Sequence, residues 1–295
     1  MKYALFTVSS PTITLEELAP QLHELGYDGW ELRVTDEPPN PRGMDFWHGN
    51  RCTIPATNFA ANVERLKMLQ SANSLELINL GTYVRSDSPW EEIEQAVANA
   101  VAIGAPSLRI NVPEYSPEKA YMPIWNQARE DFKRIEELAA KKGVKALIET
   151  HHGTICPSAS SARMMVDGRD PKHIGVIHDL GNMAYEGYEA YRMGLEMLGE
   201  YLSLVHVKNT TVYPFATRAD KTVEWRRKAW PVHQGVADVR ALMRALMEVG
   251  YDGWISFEDF STQTKLEERM QINIEFVKQI EAEERAARNT DAVQV

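Results

Sequence analysis

Eight short apolar runs, most of them separated by an amphipathic segment, constrain this chain more than any other feature of it. They lie near residues 3–7, 29–33, 75–80, 106–111, 145–150, 174–179, 202–207 and 254–258, are rich in β-branched, aliphatic or aromatic residues, and read as buried strands. The pentapeptide Gly-Tyr-Asp-Gly-Trp occurs twice, at Gly26–Trp30 and Gly250–Trp254. Each copy follows an amphipathic segment and precedes an apolar run, the pattern of a helix C-cap that turns into a strand. Eight alternating strand and helix units predict a closed (β/α)8 barrel rather than an open sheet. With 295 residues and 44% hydrophobic content, the chain is nearly filled by one such barrel, so a single domain over 1–295 is expected.

Local signals punctuate the helices. Thr14 with Glu17 predicts a capped first helix, and Ser88, Pro89 and Glu91 read as N-cap, first-turn proline and third-position acid of a later one. Two stretches are too long to be simple connectors. One spans 35–57 with Pro38, Pro39, Pro41 and Pro55; the other spans 209–231 with Arg218, Lys221, Arg226, Arg227 and Lys228. Both are expected as loops on the active-site face, forming a lid or binding surface. The last helix, near 264–288, is expected to run into a charged, solvated tail near 282–295.

Composition narrows the class. Cys52 and Cys156, far apart, argue against a disulfide framework and for a reducing compartment. The N-terminal Met-Lys-Tyr-Ala-Leu-Phe-Thr run is too short and too soon polar for a leader or anchor, so a cytoplasmic protein without membrane contact is expected. A net charge of −10 disfavours a nucleic-acid partner, which requires a basic surface.

Four of the runs end on metal-ligand residue types: Glu149, Asp179, His206 and Glu258. In a parallel barrel all strands point one way, so residues at their C-terminal ends converge on one face. Three carboxylates and one imidazole there predict a divalent-cation site, suited first to Mn²⁺, with Mg²⁺, Co²⁺ or Zn²⁺ as alternatives. Side chains two apart on a strand share a face. His151 is therefore expected beside Glu149 in the barrel mouth, with Thr150 turned outward and His178 turned away from the metal as a packed, hydrogen-bonded histidine. Lys208 shares a face with His206. Arg109 and Asn111 with Asn79 at neighbouring strand ends, together with His152 and Asn182, are candidate contacts to a hydroxylated substrate.

At these motifs the chain resembles the xylose-isomerase-like barrels, a superfamily that includes sugar isomerases, ketose 3-epimerases, inosose dehydratases and endonuclease IV. The resemblance spans almost the whole chain. It rests on Gly-Tyr-Asp-Gly-Trp-Glu-Leu-Arg with Glu31, Ile-Glu-Thr-His-His with Glu149, His-Asp-Leu-Gly-Asn with Asp179 and Asn182, Val-His-Val-Lys-Asn with His206, and the second repeat ending in Glu258. It implies a single (β/α)8 TIM barrel whose metal ligands are Glu149, Asp179, His206 and Glu258. Endonuclease IV carries histidines where this chain has Asn79, Asn111 and Asn182, so the resemblance does not imply DNA repair. The ketose 3-epimerases likewise carry a histidine at the position of Asn182, which leaves epimerase specificity open.

The chemistry common to the non-nuclease members is proton removal next to a sugar carbonyl, with a divalent ion stabilising the enediolate. If Glu149 or Glu258 moves the proton between faces, the outcome is isomerisation or epimerisation; if a group leaves from the β-carbon, it is elimination. His151, on the ligand side and titrating near neutrality, is the expected base. The chain also resembles the larger, metal-binding subunit of bacterial C-glycoside deglycosidases, which act on 3-oxo-glycosides with a small β-rich partner subunit. That resemblance likewise gives the base role to His151. Tyr213, Phe215, Trp225, Trp230 and Arg227 would then receive an aromatic aglycone or the partner, or else pack on one another. The sequence reading favours a sugar isomerase or epimerase in the broad sense, acting on a small-molecule sugar or glycoside as an oligomer. A non-enzymatic sugar-binding barrel with a structural metal is disfavoured, because a site at the barrel mouth keeps open positions.

Overall fold

The computed structural model describes residues 1–37 and 43–293; Pro38, Pro39, Pro41 and the last two residues of the tail lie outside the described residues. The strands are β1 (Lys2–Phe6), β2 (Gly29–Val34), β3 (Glu76–Thr82), β4 (Ser107–Arg109), β5 (Lys145–Glu149), β6 (Ile174–Asp179), β7 (Leu202–Val207), β8 (Asn209–Thr217), β9 (Val223–Trp230) and β10 (Trp254–Phe257). β1 to β7 and β10 close into a parallel barrel in chain order, β10 pairing back onto β1 from Lys2↔Trp254 to Leu5↔Phe257. The helices are α1 (Leu15–Glu24), α2 (Val63–Asn73), α3 (Trp90–Ile103), α4 (Tyr121–Lys142), α5 (Ala159–Val166), α6 (Leu180–Tyr185), α7 (Tyr191–Leu198), α8 (Val239–Glu248) and α9 (Leu266–Val293).

The repeated pentapeptide does the same work twice. After α1, Gly26 has φ +79°, and the amides of Gly26 and Tyr27 donate to the carbonyls of His23 and Leu22. After α8, Gly250 has φ +73°, and the amides of Gly250 and Tyr251 donate to Met247 and Leu246. Each is a Schellman cap, whose left-handed residue glycine adopts without a Cβ penalty. The chain thereby turns straight into β2 and β10, which flank β1 in the closed barrel.

Inside the barrel, polarity is layered. Ala4, Ile78, Leu147, Ile177 and Leu204 form a buried apolar floor. Two residues further along their strands, Phe6, Glu149, Asp179 and His206 make the next layer. The floor keeps water out from below, so the polar layer opens only toward the strand C-termini.

Several local expectations change. The stretch 209–231 is a β-hairpin rather than a loop: β8 pairs antiparallel with β9 from Asn209↔Trp230 to Thr217↔Val223, so the backbone groups facing between the two strands pair with one another. Thr14 and Glu17 form the expected capping box. Pro89, by contrast, is the N-cap of α3, and Ser88 Oγ instead accepts from the Arg85 amide, 3.0 Å away. The charged tail is helical through Val293, and Glu284 is buried against Arg240 and Arg244 of α8 rather than solvated. β4 ends at Arg109; beyond it the Asn111 amide donates to Val84 O, forming a single bridge beside Arg85. Among the described residues, no helix is long and apolar enough to cross a membrane.

Candidate metal centre

Register delivers the four predicted ligands to one point. Asp179 on β6 is paired with His206 on β7, His206 in turn with Ser256 on β10, and Glu149 closes β5 beside β6. Glu258 directly follows β10, its amide donating to Val207 O. One ligand atom from each of Glu149, Asp179, His206 and Glu258 lies within 4.8 Å of all the others, and all four residues are buried. From His206 Nδ1 the carboxylate oxygens of Glu149, Asp179 and Glu258 are 3.2, 3.6 and 3.9 Å away.

The imidazole is held from behind. Its Nε2 is 2.8 Å from Glu31 Oε2, and the same carboxylate accepts from Ser256 Oγ at 3.0 Å and, through Oε1, from Asn79 Nδ2 at 2.8 Å. Nε2 therefore carries the proton, and Nδ1 is the nitrogen aimed at the carboxylates. Strand alternation in β2 places Glu31 here, the one acid of a strand that also carries Arg33. The candidate-ligand reading passed over it.

The donor set suits a hard or borderline divalent cation: carboxylate oxygens and one imidazole, buried and convergent. Asp179 Oδ2 supports this fit, being buried and accepting no well-aligned hydrogen bond. Its close neighbours are Lys208 Nζ at 2.8 Å and His206 Nδ1 at 3.6 Å. Asp179 Oδ1 accepts from the Asn182 amide at 2.7 Å, capping α6 and leaving Oδ2 turned to the centre.

The charges are arranged against burial. Burial works to raise the Glu149 carboxyl, but Arg109 Nη1 at 2.6 Å, with His206, holds it well below the usual range. Arg109 is fixed by its Nε bond to Thr82 O at 3.0 Å and lies between the rings of Phe6 and Tyr83. Burial pushes Glu258 up to about 7 despite its contact with Lys208. Burial would lower His206 and Lys208, yet the surrounding carboxylates raise both.

His151 stands at the edge of this cluster with one ring nitrogen committed. Its Nδ1 is 2.6 Å from the His152 carbonyl, which can only accept, so Nδ1 is protonated and Nε2 carries the lone pair of the neutral ring. Burial lowers its pKa, which favours that neutral form. The ring stacks on His152, and His152 stacks on Tyr185, at 4.6 Å each. His152 Nδ1 contacts Asn182 Oδ1 at 2.9 Å, and Asn182 Nδ2 donates to Glu149 Oε1 at 3.3 Å. Asn182 is thus buried as a brace between the histidine pair and Glu149, while also lining the cavity beside Tyr185.

Two cavities meet at His151, His152, Lys208 and Trp47. The first, about 410 Å³, is polar and holds Arg85, Arg109, Asn111, Glu114, Glu149 and Glu258. The second, about 400 Å³, is lined by Tyr185, Phe260, Asn209 and Ala229. Trp47 comes from the first long connection, which folds back over β2 and packs on Phe260 with ring centroids 4.8 Å apart. In the hairpin, Arg226 lies over Phe215 and Lys228 over Tyr213 and Trp230, while Arg227 donates to Ala184 O on α6; Phe215 and Trp225 remain exposed.

Thr150 faces away from the centre as expected, its Oγ1 accepting from the Asp179 amide at 2.9 Å. His178 is buried on the opposite side of β6 from Asp179, but neither ring nitrogen finds a partner, which corrects the expected hydrogen-bonded histidine. Burial pushes it down to about 4, so the ring is neutral.

Comparison with known proteins bears on the fold and the family. Inosose dehydratase of Geobacillus thermodenitrificans is 22% identical over 142 residues, covering 45% of this chain and 46% of that protein. The corresponding protein of Clostridium perfringens is 24% identical over 149 residues, with the same coverage. The chain thus spans about half the length of the curated relatives it matches. The E. coli 3-keto-D-glucoside 4-epimerase YcjR superposes with TM-score 0.69 at 15% identity, over 95% of this chain and 99% of that one. The IOLI protein with a bound zinc atom gives 0.73 at 16%, over 96% and 99%. At these identities the structural matches speak for the fold. Residues 19–280 match the sequence profile of the xylose isomerase-like TIM barrel, and the chain belongs to that family.

Proposed function

We propose that the protein is a divalent-metal-dependent enzyme that removes a proton next to a sugar carbonyl, giving isomerisation or epimerisation. The observation that carries this reading is the convergence of Glu149, Asp179, His206 and Glu258 beside a histidine whose free nitrogen is unprotonated. Those four residues would hold the ion, which when bound supplies Lewis-acid polarisation of a carbonyl and its neighbouring hydroxyl. Mn²⁺ suits the oxygen-rich set, and the zinc atom bound by a structural neighbour keeps Zn²⁺ among the alternatives.

The chain's own residues do the rest. His151 Nε2 takes the proton, its ring oriented by the His152 carbonyl and by stacking. Glu258, whose carboxyl is pushed up to about 7, and Glu149, held ionised by Arg109, are the groups able to return a proton from another side. Arg109, Asn111 and Lys208 line the polar cavity, where hydroxyl groups of a sugar find donors and acceptors. Trp47, packed on Phe260, borders both cavities.

A second reading has its own observation. The aromatic cavity adjoining the polar one would seat a leaving group, which favours elimination of an aglycone from a 3-oxo-glycoside. The relatives named for a dehydratase and a 3-keto-glucoside epimerase are compatible with chemistry on a keto sugar. A small β-rich partner or a second copy would have the projecting hairpin available as a contact.

Proton NMR in D₂O tests both. The Mn²⁺-activated protein, exchanged into Mg²⁺ for recording, is offered free ketoses and 3-oxo-glycosides. Exchange of a C–H next to the carbonyl is expected, with aglycone release marking the second reading. No exchange with any member of the panel under metal-saturating conditions contradicts the proposal.

A further inference from the structure

Lys208 occupies the place a metal ion would want. Its Nζ contacts Glu258 Oε2, lies 2.8 Å from Asp179 Oδ2 and 4.0 Å from Glu149 Oε1. The first two are the oxygens that His206 Nδ1 also faces, at 3.9 and 3.6 Å. Three of the four candidate ligands therefore surround one ammonium, a compact cation with three donors. Beside them stands Glu31, making four acids in a buried pocket against Arg109, Lys208 and the His206 ring. Without a cation at the centre such a cluster is costly, because buried charges need partners.

The ammonium and a divalent ion cannot share that position. Both need the same lone pairs, and like charges a few ångströms apart in a dry site repel strongly. The lysine also has somewhere to go. Its stem is pinned: a Cβ at position 181 would come within 2.3 Å of Lys208 Cγ, so Gly181 is the floor on which the stem lies. Beyond Cγ the side chain has two more rotatable bonds, and Lys208 already lines both cavities. Nζ already lies over the Phe260 ring, 5.5 Å from its centroid, in a cavity that both residues line, and this π face is available to the displaced cation.

We infer that Lys208 is an exchangeable internal cation, neutralising the carboxylates while no divalent ion is held and swinging toward the Phe260 side of the cavity when one enters. The inference rests on the metal-binding reading above. It makes metal loading and the placement of a substrate-facing ammonium one coupled event. Lys208 is in this sense a positioning residue whose effect is read on the metal, not only on turnover.

The test is calorimetric titration of EDTA-treated protein with Mn²⁺, together with melting curves, for the wild type and Lys208→Met. Loss of the competitor should tighten Mn²⁺ binding by about tenfold or more, in the range of ordinary coupling between sites. It should also lower the melting temperature of the metal-free protein while leaving that of the Mn²⁺-loaded protein close to wild type. An affinity equal to or weaker than wild type overturns the exchange. If the variant does not fold, acylation of wild-type lysines followed by peptide mass spectrometry decides: Lys208 should be labelled faster with Mn²⁺ than without it, and equal or slower labelling overturns the inference. Absence of any Mn²⁺ binding by the wild type sinks the metal reading itself, an outcome distinct from binding that Lys208→Met leaves unchanged.

Discussion

His206 Nε2 and Glu31 Oε2 lie 2.8 Å apart in the floor of the site, and this one contact decides which imidazole nitrogen faces the other three carboxylates. A partner of this kind fixes the tautomer and raises ligand basicity. Glu31→Gln should therefore keep the fold, since Asn79 and Ser256 remain to bond the amide, yet weaken Mn²⁺ binding by about 10- to 100-fold. Calorimetric titration checks this, and unchanged affinity would show that Glu31 serves packing alone.

His151 separates catalysis from ligation. His151→Ala should bind Mn²⁺ as the wild type does while proton exchange falls by about 10²- to 10⁴-fold, the usual worth of a positioned base. If the variant loses the metal, the histidine is a ligand and the base lies elsewhere.

How much of this was legible in the sequence follows from what each residue depends on. The barrel and the convergence of four strand-end residues were readable because strand period and parallel direction are local rules, and Glu149, Asp179 and His206 obey them directly. The hairpin was not. Its strands carry exposed Val212, Phe215, Val223 and Trp225 among cations, a pattern that resembles a polar loop until cross-strand pairing is known. Asn182 was legible as a candidate substrate contact, but its second role, bracing Glu149 and His152 from α6, was not. Which residue braces and which is open depends on long-range packing that no local spacing reports.

Gly81 tests the packing beneath the site. A Cβ there would lie 2.2 Å from Phe6 Cζ, and the Phe6 ring supports both His206 at 5.7 Å and Arg109 at 5.5 Å. Gly81→Ala should cost about 1–3 kcal/mol through overpacking, and should weaken metal binding as well because the ring carries two site residues. Urea unfolding measures the first; a stability equal to wild type would mean that Phe6 moves freely.

The Glu284 cluster predicts how stability depends on acid. Arg244, at 2.8 Å, and Arg240 hold this carboxyl down at about 2. A depressed folded-state value stabilises above the unfolded carboxyl value of about 4.3 and is lost as pH falls from there toward 2. The melting-temperature gap between the wild type and Glu284→Gln should thus be largest at neutral pH and narrow progressively below pH 4.5. A gap that stays constant down to pH 3 would contradict the assignment.

The central claim is that four strand ends build one metal centre, and anomalous diffraction at the manganese edge from crystals soaked in Mn²⁺ tests it most directly. The expected result is a single strong peak among Glu149, Asp179, His206 and Glu258, with Lys208 Nζ turned away from it. A peak elsewhere, or none at this point under saturating Mn²⁺, would contradict the account.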